Sequence, residues 1–158
     1  MSPVPGPSGP DPDGPGTDGP GTEAPAGDTA GAYASWPDKG PAHEGYRLTL
    51  LTARTQVAPG EQLHVVHVVE SLDADAPLHV VGPKAVRGEL VDGTPTTAAV
   101  AEDEHPLRPQ PYNGRVRPGP GVDTAWEVTT YAFETPGRHT VQWAPGAFRS
   151  NVLVVEVR

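Results

Sequence analysis

The sequence contains no cysteine, and this absence removes several classes of site at once. Without thiols the chain cannot form a disulfide, use a cysteine nucleophile or bind zinc through sulfur. No apolar run approaches the roughly 20 residues that a membrane-spanning helix requires. We therefore expect a fold that rests on packing and hydrogen bonds, with no membrane-spanning segment.

Basic residues are also scarce. The chain has 11 Lys and Arg against 20 Asp and Glu, a net charge of −9. Because an acidic chain repels nucleic-acid phosphates and anionic lipid headgroups, we expect neither nucleic-acid nor membrane binding. The first residues show neither the basic region nor the apolar stretch of a secretory signal, so we expect a cytoplasmic protein. Arginine greatly outnumbers lysine in an Ala-, Gly- and Pro-rich chain, which is typical of a high-GC bacterial genome.

Proline and glycine are concentrated in the first 45 residues, which hold 10 of the 21 Pro and 10 of the 19 Gly. Residues 1–30 combine Pro-Gly and Asp-Gly pairs with acidic side chains, and this composition predicts a disordered acidic tail. Residues 31–45 form a transition segment that contains Tyr33 and Trp36. These two rings either dock on the domain, as the burial of large aromatics favours, or are presented to a partner. The folded domain is expected over residues 46–158.

The expected domain alternates apolar and polar residues with the period of two that is typical of β-strands. Tyr46 to Leu50 shows this alternation, whereas Leu63 to Val69 is apolar on both faces and indicates a strand covered from both sides. The pair Asp92-Gly93 predicts a hairpin turn. About seven to nine short strands, with turn signals between them and no helical period, predict an all-β fold, an antiparallel β-sandwich.

Three stretches carry a resemblance to a known group of folds. They are Val57-Ala58-Pro59-Gly60-Glu61-Gln62-Leu63 before an early strand, Tyr131-Ala132-Phe133 followed by Pro136-Gly137-Arg138-His139-Thr140-Val141, and Ser150-Asn151-Val152-Leu153 leading into the last strand. With these patterns, residues 46–158 resemble bacterial immunoglobulin-like modules. The resemblance implies a sandwich with Greek-key connections, and such modules are mostly structural or binding units.

Histidine is the residue type most able to bind a metal in this chain. The candidate ligands are His64, His79, His105 and His139. His64 and His67 lie three apart on one predicted strand and so point to opposite faces, and His64 meets His79 only if the strand register allows it. Copper or zinc needs three or four converging ligands, and no H-x-H pair gathers these residues. The alternative interpretation is that they are ordinary strand and surface histidines.

Patterns for catalysis or cofactor binding are not found. No serine stands in a G-x-S-x-G elbow, and no glycine-rich phosphate or dinucleotide fingerprint occurs. The acidic run from Glu102 to Glu104 beside His105 lacks the spacing of a calcium loop and is expected to be a solvated loop. We therefore predict no catalytic residue and no cofactor.

The long loop at residues 105–122 is the one basic stretch of this acidic chain. It contains Arg108, Arg115, Arg117 and Tyr112 and no acidic residue. Guanidinium groups beside an aromatic ring can bind an anionic ligand, an acidic partner segment or the acidic tail of the same chain. The competing interpretation is a long surface loop that is polar because it is exposed.

These observations lead to two functional hypotheses. The first is a non-catalytic interaction module that recognises a protein partner, or a second copy of itself, through residues 105–122, with Trp36 as a further candidate contact. The alternative is a small metal-binding protein or enzyme that uses the histidines of the sandwich.

Overall fold

The computed structural model describes residues 29–109 and 111–158, so most of the predicted tail lies outside the described residues. The elements with defined bounds in the described residues are one 3₁₀ turn, Tyr33–Ser35, and twelve strands. The strands are β1 (Ala42–His43), β2 (Tyr46–Leu51), β3 (Gln56–Val57), β4 (Gln62–Ser71), β5 (Leu78–His79), β6 (Glu89–Val91), β7 (Thr94–Pro95), β8 (Val116–Arg117), β9 (Gly121–Asp123), β10 (Thr129–Ala132), β11 (Gly137–Trp143) and β12 (Val152–Val157). Within this part of the chain, no helix has the length and apolar character needed to cross a membrane.

Two five-stranded sheets contain most of the strands. The first has the order β1-β2-β4-β10, with β9 also paired to β4, and the second has the order β3-β12-β11-β6-β7. Strands β5 and β8 form a separate two-stranded ribbon. The paired strands are antiparallel apart from β3 and β12, which run parallel. The predicted all-β, antiparallel class is therefore confirmed.

Strand β4 is buried on both faces, as its two-sided apolar sequence predicts. Leu63 and Val65 belong to the main core, together with residues of the second sheet. Val66 and Val68 point the other way and form a second cluster with Tyr33, which is only 6% exposed. Two different parts of the chain thus cover the two faces of one strand, because alternate side chains of a strand point in opposite directions.

The main core joins the two five-stranded sheets. Trp143 of β11 is fully buried and packs edge-on against Trp126, with ring centroids 5.0 Å apart. The Trp143 Nε1–H donates a hydrogen bond to the backbone carbonyl of Arg87 at 2.9 Å, so the polar atom of this large side chain is satisfied inside the core.

Polar contacts attach the amino-terminal segment to the first sheet. The Tyr33 hydroxyl donates a hydrogen bond to the carboxylate of Glu70, which also accepts one from Arg47 at 3.4 Å. The Lys39 Nζ lies 4.7 Å from the centre of the Tyr33 ring, within the range of a cation–π interaction. Tyr33 therefore combines apolar burial with a charged hydrogen-bond partner.

The hairpin predicted at Asp92-Gly93 is present and joins β6 to β7. Val91 pairs with Thr94, so the turn has two residues. Both have positive φ, 52° for Asp92 and 81° for Gly93. A type I′ turn requires these values, and Asp and Gly adopt them at low cost.

Candidate functional site

A groove with a volume of about 490 Å³ lies where the β5–β8 ribbon meets the preceding loop. We call it the Arg108 groove. Its lining consists of two ribbon residues and four residues of adjoining loops, namely Pro77, His79, Arg108, Pro109, Tyr112 and Val116.

Tyr112 holds the loop against the ribbon. Its hydroxyl donates a hydrogen bond to the backbone carbonyl of Arg115 and accepts one from the N–H of Val81 at 3.2 Å. Its ring meets the His79 ring edge-on, with centroids 4.9 Å apart. The close approach of the two segments requires a glycine at position 114, because a Cβ there would lie 2.6 Å from the Val81 Cβ. The phenol is consequently a fixed wall of the groove.

Arg108 supplies the main charge of the groove. Its side chain is exposed, and its positive charge reaches two imidazoles. Burial lowers the pKa of His79, and Arg108 and Lys84 lower it further. Burial and then Arg108 also lower the pKa of His105, although Glu44 opposes this. Both imidazoles are therefore biased towards the neutral form, and an anion near Arg108 would meet a positive potential.

Asp123, whose charge raises the pKa of His79, forms an ion pair with Lys84. Their charged groups lie 2.9 Å apart, and their side chains are 4% and 3% exposed. The Lys84 ammonium also donates to the Ala125 carbonyl at 2.8 Å and lies 4.8 Å from the Trp126 ring centre. Lys84 and Asp123 act on His79 in opposite directions, and Arg108 has the largest single charge effect on that imidazole.

The structure brings together some of the predicted partner-binding residues. Arg108 and Tyr112 line the groove, and Arg115 lies exposed beside Tyr112. Arg117 lies on β8 and donates to the Val122 carbonyl at 3.3 Å. Trp36 does not line the groove; it lies beside β12 in a separate cavity of about 290 Å³.

The four histidines proposed as metal ligands have different surroundings. His64 Nδ1 lies 3.0 Å from the Thr130 hydroxyl, and His79 lines the groove. The His105 ring is 6.0 Å from that of Phe148, and His139 lies 2.7 Å from Asp92. Among residues 29–109 and 111–158, no three His, Asp or Glu side chains gather in a group that could hold a metal ion. The metal hypothesis gains no support from this arrangement.

A buried polar cluster in the main core was not expected from the sequence. His67 Nε2 and Glu89 Oε2 lie 2.5 Å apart, and neither side chain is exposed to solvent. The second carboxylate oxygen accepts hydrogen bonds from the hydroxyls of Thr129 at 2.6 Å and Tyr131 at 2.5 Å. The His67 ring also packs edge-on against Trp143. The His67 and Glu89 side chains are closed to solvent, whereas Thr129 and Tyr131 are half-buried, so the cluster mainly connects strands.

Titration in this cluster follows from burial and hydrogen bonding. Burial raises the pKa of Glu89, but hydrogen bonds and charge from His67, with the two hydroxyls, outweigh it and leave the pKa below its ordinary value. Burial and the Glu89 carboxylate raise the pKa of Tyr131 to about 12. The one signal in the sequence was His67 itself, a polar residue on the inward apolar face of β4. Glu89 had no local signal, since its partner lies 22 positions away.

Comparison of the chain with protein-family models, curated proteins and solved structures found no match. The function is therefore argued from the site.

Proposed function

We propose that this chain is a non-catalytic binding module, an immunoglobulin-like β-sandwich that recognises an acidic segment of a protein partner in the Arg108 groove. The observation that carries the proposal is the composition of the groove. An exposed guanidinium, a fixed phenol and Pro109 line it from the acid-free loop of residues 105–122, which carries three arginines, and Pro77 lines it from a second loop. The sandwich assignment is supported by two sheets, antiparallel apart from the β3–β12 pair, that share one core.

The chemistry of the lining favours a carboxylate ligand. A guanidinium donates two parallel hydrogen bonds to a carboxylate, and such charge-assisted bonds are roughly twice as strong as neutral ones. His79, biased towards its neutral form, offers one more donor or acceptor without adding charge of its own. A bound acid would stabilise the protonated imidazole and raise the pKa of His79, which provides a spectroscopic signal of binding.

The size and rigidity of the groove favour a short segment. A volume of about 490 Å³ lies within the range of pockets for small ligands and is too small for a folded domain. Proline walls and a Tyr112 hydroxyl that is held by two backbone groups need little ordering on binding. Preorganisation of this kind increases affinity because less conformational entropy is lost.

The experiment uses a fluorescein-labelled peptide of repeating Glu-Asp-Gly as the acidic probe and repeating Gln-Asn-Gly as its neutral counterpart. We expect the full chain to bind the acidic probe and the variant Arg108→Glu to bind it about tenfold or more weakly, as the loss of one charge-assisted contact implies. Arg138→Glu is the matched control, because it reverses an exposed arginine of β11, outside the groove.

Three results would contradict the proposal. They are equal binding of both peptides, an equal loss of binding in the Arg108→Glu and Arg138→Glu variants, and a pKa of His79 that the acidic probe does not change. A free carboxylate such as citrate serves as competitor; if it binds the groove as tightly as the peptide, the ligand is a small anion and the assignment to a protein segment is wrong.

A further inference from the structure

The Arg108 groove lies on a surface with both charge and exposed apolar area. Val81 and Val116 are 51% and 50% exposed. The N–H of Val81 donates a hydrogen bond to the Tyr112 hydroxyl, and Val116 lines the groove with Tyr112. Arg115 and Arg117 extend the basic character along the loop and into β8. A segment suited to this surface carries carboxylates and small apolar side chains and has an extended backbone.

The chain itself contains such a segment. Residues 1–28 carry five acidic side chains and no Lys, Arg or His. The acidic positions are Asp11, Asp13, Asp18, Glu23 and Asp28, separated by Pro, Gly, Ala and Thr. Successive acidic residues are two or five positions apart in the sequence, so negative charge recurs along the whole segment.

A series of contacts links the start of the described chain to Arg117 of the basic surface. Thr29 is buried at its start, and Tyr33 bonds to Glu70 of β4. Glu70 is the register partner of Val122, whose carbonyl accepts the hydrogen bond from Arg117. The 28 residues before Thr29 could span up to about 90 Å, which exceeds the width of a domain of this size, about 30 Å, so the groove is within their reach.

Tethering makes even weak contacts effective. A segment in the same chain as its binding site can reach an effective concentration on the order of millimolar. Several dispersed carboxylates facing three arginines also allow more than one bound register, so that no single contact has to be strong. Charge complementarity and the covalent connection therefore both favour the chain's own acidic segment over an external one.

We propose that residues 11–28 occupy the Arg108 groove of the same molecule and compete with acidic segments of other proteins. This inference rests on the proposed function, since it assigns a regulator to the same site. An external ligand must displace the internal segment. Its apparent association constant is therefore the intrinsic constant multiplied by the fraction of molecules whose groove is free.

The first test is paramagnetic relaxation enhancement, with a nitroxide on the full chain. The absence of native cysteine makes Thr17→Cys a unique labelling position. We expect the label to broaden the methyl resonances of Val81 and Val116 and to leave those of Val152, an exposed valine of β12, unaffected. The broadening should disappear in the background of Arg108→Glu with Arg115→Glu and Arg117→Glu, and should weaken with salt because exposed charges are screened.

Controls separate the same molecule from its neighbours. In the control, isotope-labelled chain without the nitroxide is mixed with unlabelled chain that carries it. Broadening in this mixture comes from a nitroxide on a different molecule. Broadening in this mixture equal to that in the doubly labelled chain means that a second copy supplies the segment, which overturns the intramolecular proposal. Equal broadening of Val152 and Val116 also overturns it, because contact would then be nonspecific.

The second test measures competition with the acidic Glu-Asp-Gly probe. In the full chain, Asp→Asn at positions 11, 13, 18 and 28 with Glu23→Gln removes the charge of the segment and leaves the groove unchanged. We expect this variant to bind the probe about three- to tenfold more tightly than the native chain. Equal affinities, without broadening in the first test, overturn the internal competitor and leave the proposed function intact. If the neutralised variant does not bind the probe at all, the proposed function itself fails.

Discussion

His67 on β4 and Glu89 on β6 join the two five-stranded sheets through a contact of 2.5 Å between Nε2 and Oε2. The carboxylate also accepts hydrogen bonds from the hydroxyls of Thr129 and Tyr131, both in β10. A buried charge with this many partners is costly to leave unpaired, although the complete cluster is not necessarily more stable than an apolar one. The hydrogen bonds of this cluster form only when the two sheets pack in one relative position, so the cluster favours that position.

Replacing Glu89 alone should therefore be more damaging than replacing the pair. In Glu89→Leu, His67 and two hydroxyls lose their acceptor inside the core, and we expect a loss of about 3–5 kcal/mol in the free energy of unfolding. The double variant with His67→Leu should recover part of this loss, because the two residues are coupled. Urea denaturation followed by tryptophan fluorescence measures both, with the exposed Glu102→Leu as control. A single variant no less stable than this control would contradict the role of the cluster.

Acid should weaken the protein partly through Glu89. The pKa of this carboxyl is lower in the folded state than its ordinary value of 4.5, so it contributes stability above pH 4.5 and loses it as the pH falls through the folded value. In Glu89→Gln this part of the pH dependence is absent. The free energy of unfolding, measured from neutral pH down to acid, should then fall less steeply in the variant than in the native protein. Parallel curves would show that the carboxylate is not coupled to folding.

His139 should produce the opposite dependence near neutral pH. Its Nδ1 lies 2.7 Å from Asp92 and its Nε2 lies 2.7 Å from the Thr135 carbonyl, so both nitrogens face acceptors. The hydrogen bond to Asp92, followed by that to Thr135, raises the pKa of His139 above 6.5. The stabilisation is complete below pH 6.5 and is lost as the pH rises through the folded value. Melting temperatures from weakly acidic to alkaline pH should show this decline in the native chain and in a His64→Gln control, and a flatter profile in His139→Gln.

The Tyr33 ring and hydroxyl should make separable contributions to stability. Tyr33→Phe removes only the hydrogen bond to Glu70, and we expect a loss of about 1 kcal/mol. Tyr33→Ala also uncovers Leu51, Val66 and Val68, and we expect a loss of about 3 kcal/mol or more. Urea denaturation gives both values, and hydrogen exchange over residues 29–41 should increase in the alanine variant. Equal stability of the alanine variant and the native chain would mean that this segment contributes nothing to the fold.

Arg108 should control the titration of two histidines even without a ligand. Since its charge lowers the pKa of His79 and His105, Arg108→Ala should move both values upward, towards 6.5. Imidazole proton resonances followed by NMR measure this shift. Arg138→Ala is the control and should leave both values unchanged. If Arg108→Ala also leaves them unchanged, the guanidinium does not lie where the groove requires it.

Local chemistry made part of this fold readable from the sequence alone. The period of two predicted the strands, the two apolar faces of β4 predicted cover on both sides, and Asp92-Gly93 predicted a hairpin because these residues adopt positive φ readily. The basic loop with Arg108 and Tyr112 was also identified from composition. Each of these properties depends on a residue and its near neighbours.

Contacts between distant segments were decided by the tertiary structure. The pairing of β5 with β8 places His79 beside Tyr112, and the packing of β4 and β6 brings His67 to Glu89. Trp36, a further candidate contact, lies beside β12 and does not line the groove. Strand register and sheet packing depend on the burial and hydrogen bonding of many residues that are far apart in the sequence, so no single stretch predicts them. The sequence by itself therefore determined the β class and the basic loop, whereas only the tertiary structure formed the groove.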